Sequence, residues 1–240
     1  MRVKAVIAYD GSKFQGFQQQ KSTNNTIHTT LHNALLSLGI DSKPIGSGRT
    51  DTNVHATGQV VSFDLPAHWQ DLPSLKKRLN NKLKYIHIKH ISKVDDNFHA
   101  RFSAKKRVYR YIFKSTRPHI FERDYIAYLK LKDSNKLQEA LSLFVGRYDF
   151  SLFCKTGSEV KDHIKEIYDT KYIQRGDYHY IYFQANGYLR AQVRMMIDAA
   201  IKVANGKLTL NQLKEQIDDI TKYTHTLAPA EGLYLARVIY

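Results

Sequence analysis

Residues 46–64 read GSGRTDTNVHATGQVVSFD. Gly46 and Gly48 precede Arg49, Asp51 follows two residues later, and small polar residues surround that carboxylate. From Gly58 the stretch GQVVSFDL alternates as a strand does. One acid is thus set in a glycine-flanked loop at the mouth of a strand. Upstream, Val3, Ala5, Ile7 and Tyr9 alternate with Arg2, Lys4, Val6 and Ala8, which predicts a strand over 2–9. Between the two strands, Ile27, Leu31, Ala34, Leu35 and Leu38 fall on one face of a helix that Asn25 or Thr26 can cap and Gly39 can end. Downstream, DLPSLKKRLNNKL predicts a helix capped by Asp71, with Pro73 in its first turn. KYIHIKHISKV and SAKKRVYRYIFK predict further strands.

The rest of the chain repeats this alternation. A helix is expected from Ser134 to Gly146, then a hairpin turning at Arg175-Gly176-Asp177. In YLRAQVRMMIDAAIKVANG, Leu189, Val193, Met196, Ile197, Ala200, Ile201 and Ala204 share one helical face, and Gly206 ends it. LTLNQLKEQI adds a short helix and GLYLARVIY a last strand. Strands in succession with helices between them predict an α+β fold, with a mainly antiparallel central sheet and helices packed on it. No linker rich in Pro, Gly or Ser interrupts the chain. Two halves, 1–104 and 105–240, are therefore expected to share one sheet or pack tightly.

The composition narrows the partners. Lys and Arg number 37 against 22 Asp and Glu, for a net charge of +15 over 240 residues. Unpaired charge is rarely buried, so this excess points to a polyanionic partner. Cys154 is the only cysteine, which excludes an intrachain disulfide and fits a reducing cytosol. No run is long enough to span a membrane. The N-terminal apolar run is too short and too alternating for a signal peptide. A soluble, cytoplasmic chain with no membrane partner is expected. Metal chemistry finds no support in the sequence. His28 and His32 have helical spacing, but Thr29 stands where a zinc-protease motif needs Glu, and His87 and His90, three apart on a strand, are expected on opposite faces. There is no phosphate-binding GxxxxGK[ST] and no GxSxG.

Three features remain as candidate chemistry. Asp51 has Arg49 within reach to balance its charge or touch a phosphate, although a turn Asp bonded to its own backbone is the plain alternative. In KKRVYRYIFK, Arg107, Tyr109, Tyr111 and Phe113 share one strand face, and aromatics interleaved with cations suit stacking on unpaired bases. A half-buried strand with snorkelling cations explains the same pattern. Arg190 and Arg194 are i, i+4 neighbours at the edge of the long helix's apolar stripe, either solvated or reaching over to a carboxylate. Basic residues also cluster at Lys76, Lys77, Arg78, Lys82 and Lys84, and at Lys105, Lys106 and Arg107, where a nucleic-acid backbone could lie.

Taken together these residues resemble the TruA family of tRNA pseudouridine synthases. GRTDTNVHA at 48–56 is close to the family's GRTDAGVHA, while YDGSKFQGFQ and APAEGLYL resemble its terminal signatures, so that the likeness spans essentially the whole chain. The resemblance implies a pseudouridine synthase fold, with two similar halves flanking a catalytic cleft. It implies Asp51 as the catalytic aspartate, Tyr109 as the active-site tyrosine and Arg194 as the arginine that pairs with the aspartate. Arg49 is expected to fill the space left by the displaced uridine, and Lys105, Lys106 and Arg107 to hold the RNA. The implied substrate is tRNA at uridines 38 to 40 of the anticodon arm, the implied assembly a homodimer, and neither cofactor nor metal is required. Three departures stand out: Thr52-Asn53 replaces Ala-Gly, Phe17 replaces Trp, and Ile27-His28 replaces Val-Gln. Asn tolerates left-handed backbone angles, so the turn survives. The competing readings are a non-catalytic RNA-binding module, a pseudouridine synthase on another RNA, and a hydrolase that uses Asp51 with His55.

Overall fold

The computed structural model describes residues 1–155 and 162–240. In chain order the main elements are β1 (Arg2–Tyr9), α1 (Ile27–Leu36), β2 (Ile45–Gly46), β3 (His55–Asp64), α2 (Leu72–Lys82), β4 (Ile86–Lys93) and β5 (Lys106–Lys114). There follow β6 (Ala127–Tyr128), α3 (Ser134–Ser142), β7 (Gly146–Asp149), β8 (Ile164–Arg175), β9 (Tyr178–Ala185), α4 (Gln192–Ala204), α5 (Leu210–Ile217) and β10 (Leu233–Ile239). The fold is mixed α and β, and its strands pair mostly antiparallel. It divides into two units, Met1–Lys105 with Tyr234–Tyr240, and Lys106–Leu233.

In the first unit β1 lies between β4 and β3, and β10 joins the far side of β3. The β1–β3 register runs from Arg2 opposite Asp64 to Tyr9 opposite Ala56. The Arg2 guanidinium donates to both Asp64 oxygens, at 2.9 and 2.7 Å, which locks the open end of that pair. Alternation works as expected on β1, where Val3, Ala5, Ile7 and Tyr9 are buried. Helix α1 starts at the Thr26 cap and buries Ile27, Leu31, Ala34 and Leu35, while α2 starts at the Asp71 cap and buries Leu75 and Leu79. Strand β4 departs from simple alternation. His90 stands opposite Val6 and His87 opposite Ala8, because the register slips by one residue between them. Val6 and Ala8 share a face, so His87 and His90 do too, and both are exposed. The opposite-face expectation fails because a β-bulge adds a residue and reverses the phase of everything beyond it.

The last strand joins the first unit although it was expected with the 105–240 half. Tyr234 and Leu235 pair in parallel with His55 and Ala56, and the Tyr234 ring stacks on His55 at 4.8 Å. Contact here is close enough to require Gly58, since a Cβ at that position would lie 2.2 Å from the Ala236 carbonyl oxygen.

In the second unit β9 lies between β5 and β8, with β7 on the outer side of β8 and β6 beside β5. Gly176 and Asp177 turn the β8–β9 hairpin, with Gly176 at φ +59° as a primed turn requires. Tyr111, Phe113, Ile181 and Phe183 fill one sheet face, and Phe144 and Phe153 pack edge to face within the same core at 5.5 Å. The expected apolar face of α4 is buried throughout. Its start differs from expectation, since Ala191 takes a left-handed φ of 63° as the cap and the helix begins only at Gln192. Arg190 therefore lies in the turn before the helix, its carbonyl bonded to the Lys155 amide, and is not a helical i, i+4 neighbour of Arg194.

Candidate active site

In the first unit, residues 47–54 run from β2 to β3 and carry Arg49 and Asp51. Their backbone is pinned at several points. Buried Gln59 accepts from the Ser47 hydroxyl at 2.6 Å and donates to the Gly48 carbonyl at 2.8 Å. The Thr50 carbonyl accepts from the Phe17 amide at 3.0 Å, and its hydroxyl bonds the Tyr9 phenol at 2.8 Å. The Asp51 carbonyl accepts from the Val54 amide at 3.1 Å, closing a turn in which Asn53 is left-handed at φ 64°. This is the conformation for which Asn is among the best non-glycine residues. Ser47 and Thr50 point inward and are buried, whereas Arg49 is exposed and Asp51 partly so. The loop thus turns its Ser47 and Thr50 ties inward and leaves its two charged side chains the more accessible.

The segment 16–17 makes this closeness possible. Gly16, at φ +91°, passes so near that a Cβ there would lie 3.1 Å from the Thr50 carbonyl oxygen. Phe17 is buried, 6.3 Å from the Tyr9 ring, and lies against Gly46. The Phe17 departure therefore changes packing beneath the loop. Ile27 and His28 are buried as well, their amides bonded to the Gly16 and Phe17 carbonyls.

His55 is only 1% exposed, accepts from the Gly11 amide on Nδ1 at 3.0 Å, and stacks on Tyr234. An Nδ1 that accepts this bond carries no proton, so the 3.5 Å approach of the Asp10 carboxylate is not an ion pair on that nitrogen. Every one of these contacts is structural, which counts against a hydrolase built on His55.

In the second unit, Tyr109 lies on the helix-side face of β5, opposite Phe183 in the ladder, and is 7% exposed. Its ring meets Tyr188 edge to face at 5.1 Å. Burial holds the Tyr188 phenol well above its ordinary pKa, with the neighbouring Tyr109 adding to the effect, so it stays a neutral wall for that ring. Tyr111 and Phe113 are fully buried. The expected row of base-stacking aromatics reduces to Tyr109, because the two rings further along the strand belong to the core.

Arg194 is the third residue of α4 and half-buried. Its Nε donates to the Ala228 carbonyl at 2.7 Å, and the Ala228 amide donates back to the Arg194 carbonyl at 3.1 Å. The Tyr111 phenol donates to the Pro229 carbonyl at 3.0 Å. The segment APAEG at 228–232 is therefore strapped between β5 and the start of α4.

The basic residues before and on β5 do not share a face. Lys105 is exposed, with its amide bonded to the Ile239 carbonyl. Lys106 lies over the Tyr168 ring at 4.8 Å, and Arg107 donates to the Asn186 carbonyl at 2.9 Å. Among the described residues, no group of three or more metal-ligating side chains comes together, and no helix is long and apolar enough to cross a membrane.

Comparison with known proteins now identifies the framework. The family model described as tRNA pseudouridine synthase matches residues 5–103 and 140–240. The chain belongs to the tRNA pseudouridine synthase family. The family match includes Asp51 and Arg194, while Tyr109 falls between its two segments. Among similar proteins, "tRNA pseudouridine synthase A" of Helicobacter hepaticus is 41% identical over 244 residues, covering 99% of this chain and 98% of that one. The protein of the same name from Campylobacter jejuni (strain 81-176) is 39% identical over 241 residues, covering all of both chains. That from Bacillus licheniformis is 37% identical over 252 residues, covering 100% of this chain and 99% of its own.

Sequence reasoning passed over Tyr9, Thr50 and Gln59, the residues that tie the Asp51 loop. Tyr9 was visible as a buried alternate position on β1 and as the first residue of YDGSKFQGFQ, neither of which marks a bond to Thr50. Gln59 had no separate signal, since a polar residue within a strand is usually read as solvent-facing.

Proposed function

We propose that this chain converts uridine to pseudouridine in tRNA, with Asp51 as the catalytic carboxylate. The observation that carries the reading is the Asp51 loop: a GRTD segment tied through its neighbours, with Asp51 partly exposed, in a chain of this family. The reaction breaks the bond from ribose C1′ to uracil N1 and forms one from C1′ to C5. The C5 proton leaves and N1 gains a proton, so no electrons are transferred. Asp51 serves either as nucleophile at C1′ or as base toward a ribose proton, giving a glycal. Arg194 pairs with that carboxylate and aims it, and Tyr109 stacks on the target base and takes part in removing the C5 proton. Arg49 occupies the space left by the uridine as it swings from its stem, a movement that costs a few kcal/mol.

In this reading the substrate positions are uridines 38 to 40 of the anticodon arm, the working form is a cytoplasmic homodimer, and Lys105, Lys106 and Arg107 hold the RNA backbone. The net charge of +15 supports a polyanionic substrate. The test is pseudouridine mapping of tRNA from cells with and without the chain, together with turnover of a single tRNA by the purified protein. Binding without turnover would make it a non-catalytic RNA-binding module. Turnover only on an RNA outside the anticodon arm would move the substrate.

A further inference from the structure

We infer that Tyr9, acting through Thr50, is a positioning residue for the reaction. The inference rests on the reading of Asp51 as the catalytic carboxylate. Asp51 follows Thr50 directly, so its Cα is placed by the Thr50 peptide. That peptide is held at two points, the carbonyl by the Phe17 amide at 3.0 Å and the side-chain oxygen by the Tyr9 phenol at 2.8 Å. Both Tyr9 and Thr50 are buried, at 5% and 7% exposure, so water does not readily replace either partner of their bond.

Tyr9 is the last residue of β1, paired with Ala56 at the start of β3. The phenol therefore projects from a strand paired on both sides to a residue of the loop that has no ladder of its own. On the other side of Arg49, Gln59 of β3 holds Ser47 and Gly48 in the same manner. Two strands thus bracket the two charged side chains. Without the Tyr9 bond, Thr50 loses its side-chain tie, and the peptide plane that leads into Asp51 is held less firmly. Misplacement on the order of 1 Å costs a reaction of this kind up to about a hundredfold. Binding of the tRNA backbone elsewhere is not affected by such a movement.

The experiment is a double-mutant cycle on Tyr9→Phe and Thr50→Val, with kcat, KM and tRNA affinity measured and folding checked by melting. Each single variant is expected to lower kcat about tenfold or more while KM changes by no more than about twofold, and the double variant to fall no further than the lower single. Thr50→Ser, which keeps the hydroxyl, is expected to recover most of the rate that Thr50→Val loses. A wild-type kcat in Tyr9→Phe, or losses that multiply in the double variant, would overturn the inference. Asp51→Asn belongs in the same assay. If it still turns over, the reading of Asp51 fails and the inference falls with it. If it is inactive and Tyr9→Phe is not impaired, only the positioning role is lost.

Discussion

The Asp51 loop and the start of α4 each carry a candidate catalytic side chain, and their surroundings differ. Asp51 stands on a segment without a ladder, and its neighbours are tied to β1, to β3 and to the segment at Phe17. Arg194 stands on the first turn of a helix whose apolar face is buried, and its own Nε and carbonyl are spent on strapping Ala228. The loop is held through Ser47, Gly48 and Thr50, the neighbours of its charged residues. The helix makes Arg194 itself one of its ties. Changes at Arg194 should therefore touch local structure as well as chemistry, through the tie to Ala228.

The largest expected effect is that of Asp51→Asn, which keeps shape and removes charge. Turnover should fall by at least about 10²–10⁴-fold, while the melting temperature and tRNA affinity stay near those of the unchanged chain. Pseudouridine formation by a pure preparation of this variant would remove Asp51 from the mechanism. Arg194→Leu comes next. Its single-turnover rate should drop by about a hundredfold, with a smaller loss of affinity, and unlike Asp51→Asn it should also lower the melting temperature through release of Ala228. An Arg194→Leu protein with unchanged stability would blur the contrast between loop and helix.

A smaller effect separates holding RNA from acting on it. Lys105→Gln should lower the salt dependence of tRNA affinity by about one unit of log–log slope, and Lys106→Gln by less, because Lys106 already lies over Tyr168. Tyr109→Leu should keep the slope and lose the rate at saturating tRNA. Affinity across a salt series and single-turnover rates on the same proteins would sink this division if the two patterns were exchanged.

The smallest effect concerns two buried histidines, His28 in the first unit and His179 in the second. His28 is held below the ordinary histidine pKa of 6.5 first by burial and then by His32, and His179 is held below it by burial. Both favour the neutral ring in the folded state. Their contribution to stability is therefore complete above pH 6.5 and declines as the pH falls below it. The melting temperature should fall as the pH drops from neutral to about 5.5, and His28→Gln should remove its share of that fall. A melting curve for His28→Gln with the same pH dependence as the parent would assign the effect elsewhere.

Much of this was legible in local patterns. β1 and the apolar face of α4 follow from spacing alone, and Asp51 was marked by the glycines and the arginine around it. What escaped depends on partners distant in the chain. The β4 bulge exists only in register with β1, and the pairing of β10 with β3 joins residues too far apart for any window to see. The start of α4 is set by an alanine in a left-handed conformation, where a sequence rule looks for Ser, Thr, Asp, Asn or Gly. The Tyr9–Thr50 bond escaped for the same reason, since the two motifs that hold these residues lie 41 positions apart and neither shows its partner.

The return of β10 to the first unit also bears on how the chain is made. A ribosome releases residues in order, and domains tend to fold as they emerge. Unit 2 is one uninterrupted segment, Lys106–Leu233, and has all its strands before the final seven residues appear. Unit 1 has waited since residue 105 with His55 lacking its stacked Tyr234 and the start of β3 lacking a neighbour on one side. The half that is translated first is thus the half completed last, and the candidate catalytic loop leads directly into the strand that has to wait.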